Sequence, residues 1–365
     1  MSKVILLSQF PLPYHDIGSW TNMYKNYLEG KHQIDYIICQ QPESRFDNVS
    51  YKIVEDTFLL RIKRRMQKYY KLGFITALEA IIAENNNEKF IIQVVDNYEI
   101  VVRINEMLIQ KGIRNSCYIQ VFYHGFTPFI NLDNYPKFYE NIDELILLTK
   151  DSYTVHKNFY HIFPCKVSIL PNGVDTKKFS KPSAIQRDQL KSEHGYAGKK
   201  VFIWCSQDRP KKGLSFILDV WKRVHAADKN TVLIIVGAKR KLELEGVVFV
   251  GKVPNDALPK FYQMSDCYLF PTMCHEGFGL TLAEALNCGC YCIASSYGGV
   301  PEVLQYGKYG KLIENPNFIS EWETAINDYL SGKEQPVLAD KKLYSIKDWA
   351  IGMNHIIDNA KINLS

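Results

Sequence analysis

Short apolar runs recur along this chain, each bounded by turn residues and followed by a stretch of helical spacing. The first is Lys3 to Ser8. Unbroken apolar character over so few residues predicts a strand buried on both faces of a parallel sheet. A loop over Gln9 to Asp16, then Gly18-Ser19 and a helical pattern through Leu28, leads to a second run at Gln33 to Cys39. Strand, loop, helix and strand in that order make a βαβ unit. Further strands are predicted over Phe90 to Val95, Ser116 to Tyr123, Leu145 to Thr149 and Val167 to Leu170, with a helix opening at Ser152. A polar stretch, Lys181 to Lys200, interrupts the series. The alternation then resumes with Val201 to Cys205, Val232 to Val236, Val247 to Val250, Cys267 to Phe270 and Tyr291 to Ala294. This pattern predicts two doubly wound α/β domains facing each other across a cleft. Their expected bounds are 1–171 and 172–345, and a last segment, 346–365, is expected to form a helix crossing back to the first domain.

Composition agrees with two folded domains. The 365 residues are too many for one typical core, and 46% hydrophobic with 23% charged residues is globular, not disordered. A net charge of +5 admits an anionic substrate or a membrane surface, but a nucleic-acid binder would be more basic and more clustered. Of the nine cysteines, Cys39, Cys267 and Cys292 lie in apolar runs, as buried small hydrophobes do. Cys288, Cys290 and Cys292 alternate and lack the C-x-x-C spacing of zinc or redox sites, so a reduced, cytoplasmic compartment is expected. Val4 to Leu7 is too short for a signal sequence, and no apolar run reaches about 18 residues, so a spanning helix is not expected. The most basic segment, Arg61 to Lys71, mixes cations with Met and Tyr. It reads either as an interfacial helix on the anionic inner face of a membrane or as a solvated helix face.

The densest candidate chemistry is His275-Glu276-Gly277-Phe278-Gly279-Leu280-Thr281-Leu282-Ala283-Glu284. It follows the predicted strand Cys267 to Phe270, so the order is strand, loop, glycine turn, helix. A helix opened by glycine turns its unpaired N–H groups and the positive end of its dipole toward the loop, which favours phosphate. Glu276 then lies in the loop and Glu284 about one turn into the helix. Two carboxylates flanking a phosphate-facing turn suit a long diphosphate ligand with hydroxyls at both ends; the alternative is a surface loop before an ordinary amphipathic helix. In the first half, His124 stands at the carboxyl end of a predicted strand with Gly125 behind it for a tight turn. It reads either as a donor to a phosphate or sugar hydroxyl or as a capping or core histidine. Gly18, at the mouth of the first helix, is a candidate for close approach of a ligand or a simple turn.

Pro171-Asn172-Gly173-Val174-Asp175, the pair Lys212-Gly213, the E-x(7)-E pair Glu276 and Glu284, and Cys288-Gly289 followed by Gly298-Gly299-Val300-Pro301-Glu302 occur in order. Together they resemble the spaced signatures of a family 4 retaining glycosyltransferase of the GT-B fold, of the type that builds bacterial surface polysaccharides or glycolipids. The resemblance is strong over roughly residues 165 to 310 and topological over the first 150. It implies a nucleotide-diphosphate-sugar donor and a glycan or lipid-linked glycan acceptor. It implies that Glu284 holds the ribose hydroxyls, Glu276 the hydroxyls of the transferred sugar, and Gly277 to Thr281 (with Phe278, Gly279 and Leu280) the sugar and phosphates through backbone N–H groups. It further implies that Lys212 stabilises the leaving diphosphate and that His124 closes on the donor from the other domain.

One position departs from the family pattern. The arginine expected shortly after the strand before Lys-Gly is absent; Ser206 and Gln207 stand there, and Arg209 is the nearest substitute. No D-x-D pair occurs in the chain, so no metal or other cofactor is expected, and fixed cations with a helix terminus would meet the leaving charge. Two other readings compete: a GT-B module that binds a nucleotide-sugar without turnover, which the missing arginine favours, and a sugar-nucleotide epimerase.

Overall fold

The computed structural model describes residues 2–14, 20–54, 71–128, 135–158, 163–334, 337 and 342–364. The chain divides into two compact units, one of Met1–Asn172 with Ile346–Ser365, the other of Gly173–Ser345. Gly18 and Arg61 to Tyr70 fall outside the described residues.

The first unit is built on seven strands: β1 (Ser2–Ser8), β2 (Tyr36–Cys39), β3 (Ser50–Ile53), β4 (Lys89–Val95), β5 (Cys117–Phe122), β6 (Glu144–Leu147) and β7 (Lys166–Ile169). All pairs are parallel, in the order β3-β2-β1-β4-β5-β6-β7. The apolar runs are unbroken because both faces are covered. On one face Ile5, Leu7, Ile92 and Val94 pack with residues of the helices Leu72–Glu84 and Val101–Gln110. On the other, Val4, Leu6, Ile91 and Val95 pack with the helices Trp20–Glu29 and Ile346–Leu364. That last helix buries Trp349, Met353, Ile356, Ile357, Ala360 and Leu364.

Beneath it runs a row of buried polar side chains. Gln93 Nε2 donates to Gln120 Oε1 at 3.0 Å, Gln120 Nε2 donates to Glu144 Oε2 at 2.8 Å, and Ser168 Oγ donates to Glu144 Oε1. Their strands are in register, Gln93 opposite Gln120 and Gln120 opposite Glu144, so each polar group finds its partner across one strand spacing.

The second unit carries six strands: β8 (Lys200–Cys205), β9 (Thr231–Val236), β10 (Val247–Gly251), β11 (Cys267–Phe270), β12 (Tyr291–Ser295) and β13 (Gly310–Ile313). They are parallel in the order β10-β9-β8-β11-β12-β13. One core gathers Phe202, Trp204, Leu233, Ile235, Leu269 and Ile293 under the helices Leu214–Ala227 and Ile319–Leu330. Both sheets therefore follow the doubly wound order, and in each the chain reverses direction beside its first strand, between β1 and β4 and between β8 and β11. Ligands of open parallel sheets bind beyond the carboxyl ends of the strands at such a reversal.

The structure adds to the sequence reading and corrects it in two places. Strands β3 and β13 are additional; each has four residues, too short for a periodic signal. The polar stretch after Lys181 contains a helix, Ala184–Glu193, opened by a reciprocal capping box of Ser183 and Gln186. Ser152 does not open its helix. The helix Lys150–Lys157 is capped by Thr149, whose hydroxyl accepts from Ser152 N at 3.1 Å, while Ser152 Oγ donates to Phe126 O at 2.7 Å. Among the described residues no helix is long and apolar enough to cross a membrane.

Candidate functional site

At the reversal of the second sheet, the loops after β8 and β11 are stapled together by backbone. Met273 N donates to Lys211 O at 2.8 Å. Gly213 has φ +70°, and a Cβ there would lie 1.9 Å from Pro271 O, so only glycine lets the two loops meet. Trp204, buried in the core, donates its indole N–H to Lys212 O at 3.1 Å and fixes the backbone from which Lys212 projects. The short helical turn Pro210–Lys212 thus aims one ammonium at the loop after β11.

Glu276 receives it. Its Oε1 pairs with Lys212 Nζ, accepts from Thr272 Oγ1 at 2.8 Å, and lies 3.7 Å from Cys274 Sγ. The backbone of Glu276 is also pinned. Gly299 N donates to its carbonyl at 2.8 Å, and a Cβ on Gly298, itself at φ +66°, would come within 2.4 Å of that carbonyl. Gly298 of the downstream motif is therefore needed where one backbone lies directly on another.

Past Glu276 the chain enters the helix Leu280–Asn287 through Gly279, at φ +88°. Gly279 offers no side-chain cap, which leaves the first-turn amides of Leu280 and Thr281 facing the loop. Gly277 and Phe278 are buried, the Phe278 ring set edge-on against Tyr344 with centroids 5.1 Å apart. Thr281 Oγ1 accepts from Tyr268 OH at 2.8 Å.

Glu284, one turn inside, is 6% exposed, and its Oε2 is buried without a hydrogen-bond partner. Burial pushes its carboxyl up to about 8, against the opposing pull of Lys178 and of the nearby Tyr262 hydroxyl. That hydroxyl is itself buried without a well-aligned partner. A buried acceptor with no donor is costly unless a ligand supplies one.

In the first unit, His124 follows β5 and Asp96 follows the neighbouring β4. His124 Nδ1 lies 3.0 Å from Asp96 Oδ1, at ion-pair distance though not aligned as a hydrogen bond. The imidazole is stacked on Trp20, centroids 5.5 Å apart and planes within 10°. Burial alone would raise the Asp96 carboxyl; His124 first, then the Trp20 indole, more than offset this and hold it below the usual range. Asp96 adopts φ +48°, a left-handed conformation that short polar residues tolerate. Gly125 is required for a reason other than a tight turn: a Cβ would fall 2.2 Å from the Tyr123 ring.

The structure thus brings Lys212, Glu276 and the turn Gly277 to Thr281 together, with Glu284 buried behind them. Arg209 is exposed, and the adjacent Asp208 is clasped by Arg240 through two N–H···O contacts of 2.7 Å. Of the basic segment only Lys71 is described, its ammonium 2.7 Å from Asn97 Oδ1 and 3.0 Å from Glu99 Oε2. Four participants were not foreseen: Thr272 and Cys274, whose positions four and two before Glu276 were the available signal, and Asp96 and Trp20, which the sequence places far from His124.

Residues 186–343 match the family model described as glycosyl transferases group 1, which covers nearly all of the second unit. The second unit is a group 1 glycosyl transferase domain. A GDP-mannose-dependent alpha-(1-6)-phosphatidylinositol monomannoside mannosyltransferase of Mycolicibacterium smegmatis is 28% identical over 44% of this chain and 46% of its own length. An N-acetyl-alpha-D-glucosaminyl L-malate synthase of Bacillus anthracis is 33% identical over 34% of this chain and 35% of its own. The chain spans about half the length, or less, of these relatives. The crystal structure of Anabaena Alr3699/HepE in complex with UDP superposes over 98% of this chain and 100% of that one, with a TM-score of 0.75 at 15% identity. The group 1 domain and the unit that precedes it thus share the GT-B fold with that protein.

Proposed function

We propose that the protein is a retaining glycosyltransferase that moves a sugar from a UDP- or GDP-sugar to a glycan or lipid-linked glycan. The observation that carries this is the clustering of Lys212, Glu276 and an uncapped helix terminus at the sheet reversal, with the unpartnered carboxylate oxygen of Glu284 beside them. Two vicinal ribose hydroxyls supply the donors Glu284 lacks. The first-turn amides and Lys212 meet the diphosphate, and Glu276 accepts from the sugar. As the glycosidic bond to phosphate breaks, charge grows on the diphosphate, and fixed N–H groups and an ammonium already aimed there lower the barrier. The acceptor hydroxyl attacks from the leaving-group face, its proton passing to the departing phosphate. His124 orients the sugar. No metal is required for this arrangement, so activity survives a chelator. A lipid-linked acceptor would place the protein at the inner face of the cytoplasmic membrane, with Arg61 to Lys71 toward anionic headgroups.

The absence of an arginine at Ser206 and Gln207 gives the second reading, a nucleotide-sugar-binding module without turnover, its specific support. Incubation with a panel of UDP- and GDP-sugars, with and without glycan or lipid-glycan acceptors, separates the readings. Acceptor-dependent release of nucleoside diphosphate, undiminished by EDTA, is the expected outcome. Tight binding without release supports the module, and sugar conversion without acceptor supports an epimerase.

A further inference from the structure

We propose that Glu276 also discriminates between the sugar-bearing nucleotide and the bare nucleoside diphosphate left after transfer, by occupying Lys212 whenever no sugar occupies Glu276. The inference rests on the functional reading above and goes beyond it. Among the described residues the Lys212 ammonium pairs with the Glu276 carboxylate. Both are partly shielded, with side-chain exposures of 21% and 14%, so their attraction is screened less than that of a surface pair. The carboxylate is held toward Lys212 from both ends. The Glu276 carbonyl accepts from Gly299 N, Gly298 lies against its backbone, and Thr272 Oγ1 donates to the same carboxylate oxygen that faces Lys212.

The consequence follows from counting partners. An intact donor replaces both halves of the pair: phosphate oxygens take Lys212, and sugar hydroxyls take Glu276. A nucleoside diphosphate replaces only one half. Lys212 turns to phosphate, while Glu276 keeps Thr272 alone and presents an uncompensated negative charge to an anion a few ångströms away. The carboxylate therefore weakens binding of the product selectively. After transfer it recaptures Lys212 and helps the diphosphate leave.

The test is a set of calorimetric affinities for UDP, GDP, UDP-glucose and GDP-mannose in wild type, Glu276→Gln, Lys212→Ala and the double variant, each first shown to be folded by its melting transition. Glutamine keeps the size and the contact with Thr272 but removes the charge. Glu276→Gln is expected to bind the bare diphosphate about tenfold more tightly than wild type, with no comparable gain for the nucleotide-sugar. On the Lys212→Ala background the gain should shrink, because competition for the ammonium is gone and only the direct repulsion between carboxylate and diphosphate remains. Unchanged or weaker diphosphate binding by Glu276→Gln, with wild type binding normally, overturns this role and leaves the functional reading intact. Wild type that binds none of the four ligands overturns both.

Discussion

The two sheet reversals share one topology and are furnished differently. In the second unit the region holds a lysine and a carboxylate from the loops that follow β8 and β11, bare amides at the start of the helix Leu280–Asn287, and the carboxylate of Glu284 one turn inside that helix. In the first unit the corresponding region holds an imidazole sandwiched against an indole and braced by one carboxylate. One end gathers a cation, carboxylates and free helix amides; the other holds an aromatic ring stacked and faced by a single carboxylate. Under the proposed function the first serves electrostatic stabilisation and the second positioning, and each can be broken separately.

The largest effect is expected at the charged end. Lys212→Ala should lower kcat by about 10²- to 10³-fold, the range seen when one stabilising donor is lost. Arg209→Ala, its exposed neighbour, should stay within about twofold. If the two variants behave alike, the cation that matters has been misassigned. At the other end, Asp96→Asn keeps the size of the side chain and removes the charge facing His124. It should lower kcat about 10- to 100-fold with little change in KM for the donor, as for other residues that orient a working group. An unchanged kcat would mean that Trp20 alone sets the ring.

The smallest and most diagnostic effect concerns Glu284. Its carboxyl titrates near 8 in the folded protein against 4.5 for the unperturbed group, so the folded state holds an extra proton between those values. Its contribution to stability is then fullest below about 4.5 and falls as pH rises toward about 8. Donor binding runs the other way, because ribose hydroxyls are accepted best by the carboxylate. Nucleotide affinity should therefore increase severalfold from about pH 6 to about pH 8, and Glu284→Gln should bind more weakly with no such slope. Calorimetry across that range reads both.

How much was legible from the sequence follows the same division. Glu276, the turn Gly277 to Thr281 and Glu284 are consecutive in the chain, so their chemistry can be read as a motif. Lys212 is visible through the Lys-Gly pair it forms with Gly213, and the structure supplies the steric reason for that glycine. Asp96, Trp20 and His124 come from three separate elements, and no local spacing records that two strand ends and a helix start converge. Thr272 looks like an ordinary loop residue until its hydroxyl is seen on Glu276. Arg240 was missed as the partner of Asp208 because their strands are adjacent in space and 32 positions apart in sequence. The apolar strands were plain because both faces are buried. The polar row Gln93, Gln120 and Glu144 lay hidden inside or beside them, each residue reading as an isolated interruption.

That row and the helix above it impose an order on the birth of the protein. The helix Ile346–Leu364 completes the core of a unit whose other residues end at Asn172. During synthesis, the whole group 1 domain leaves the ribosome before those last side chains exist. Until they arrive, Gln93 and Gln120 and the apolar residues beside them lack their cover. The second unit, continuous in sequence, is free to fold first, although it is translated later. A stalled or truncated chain should therefore carry a finished second unit beside an unfinished first one, and would be a preferred target for chaperones and proteases.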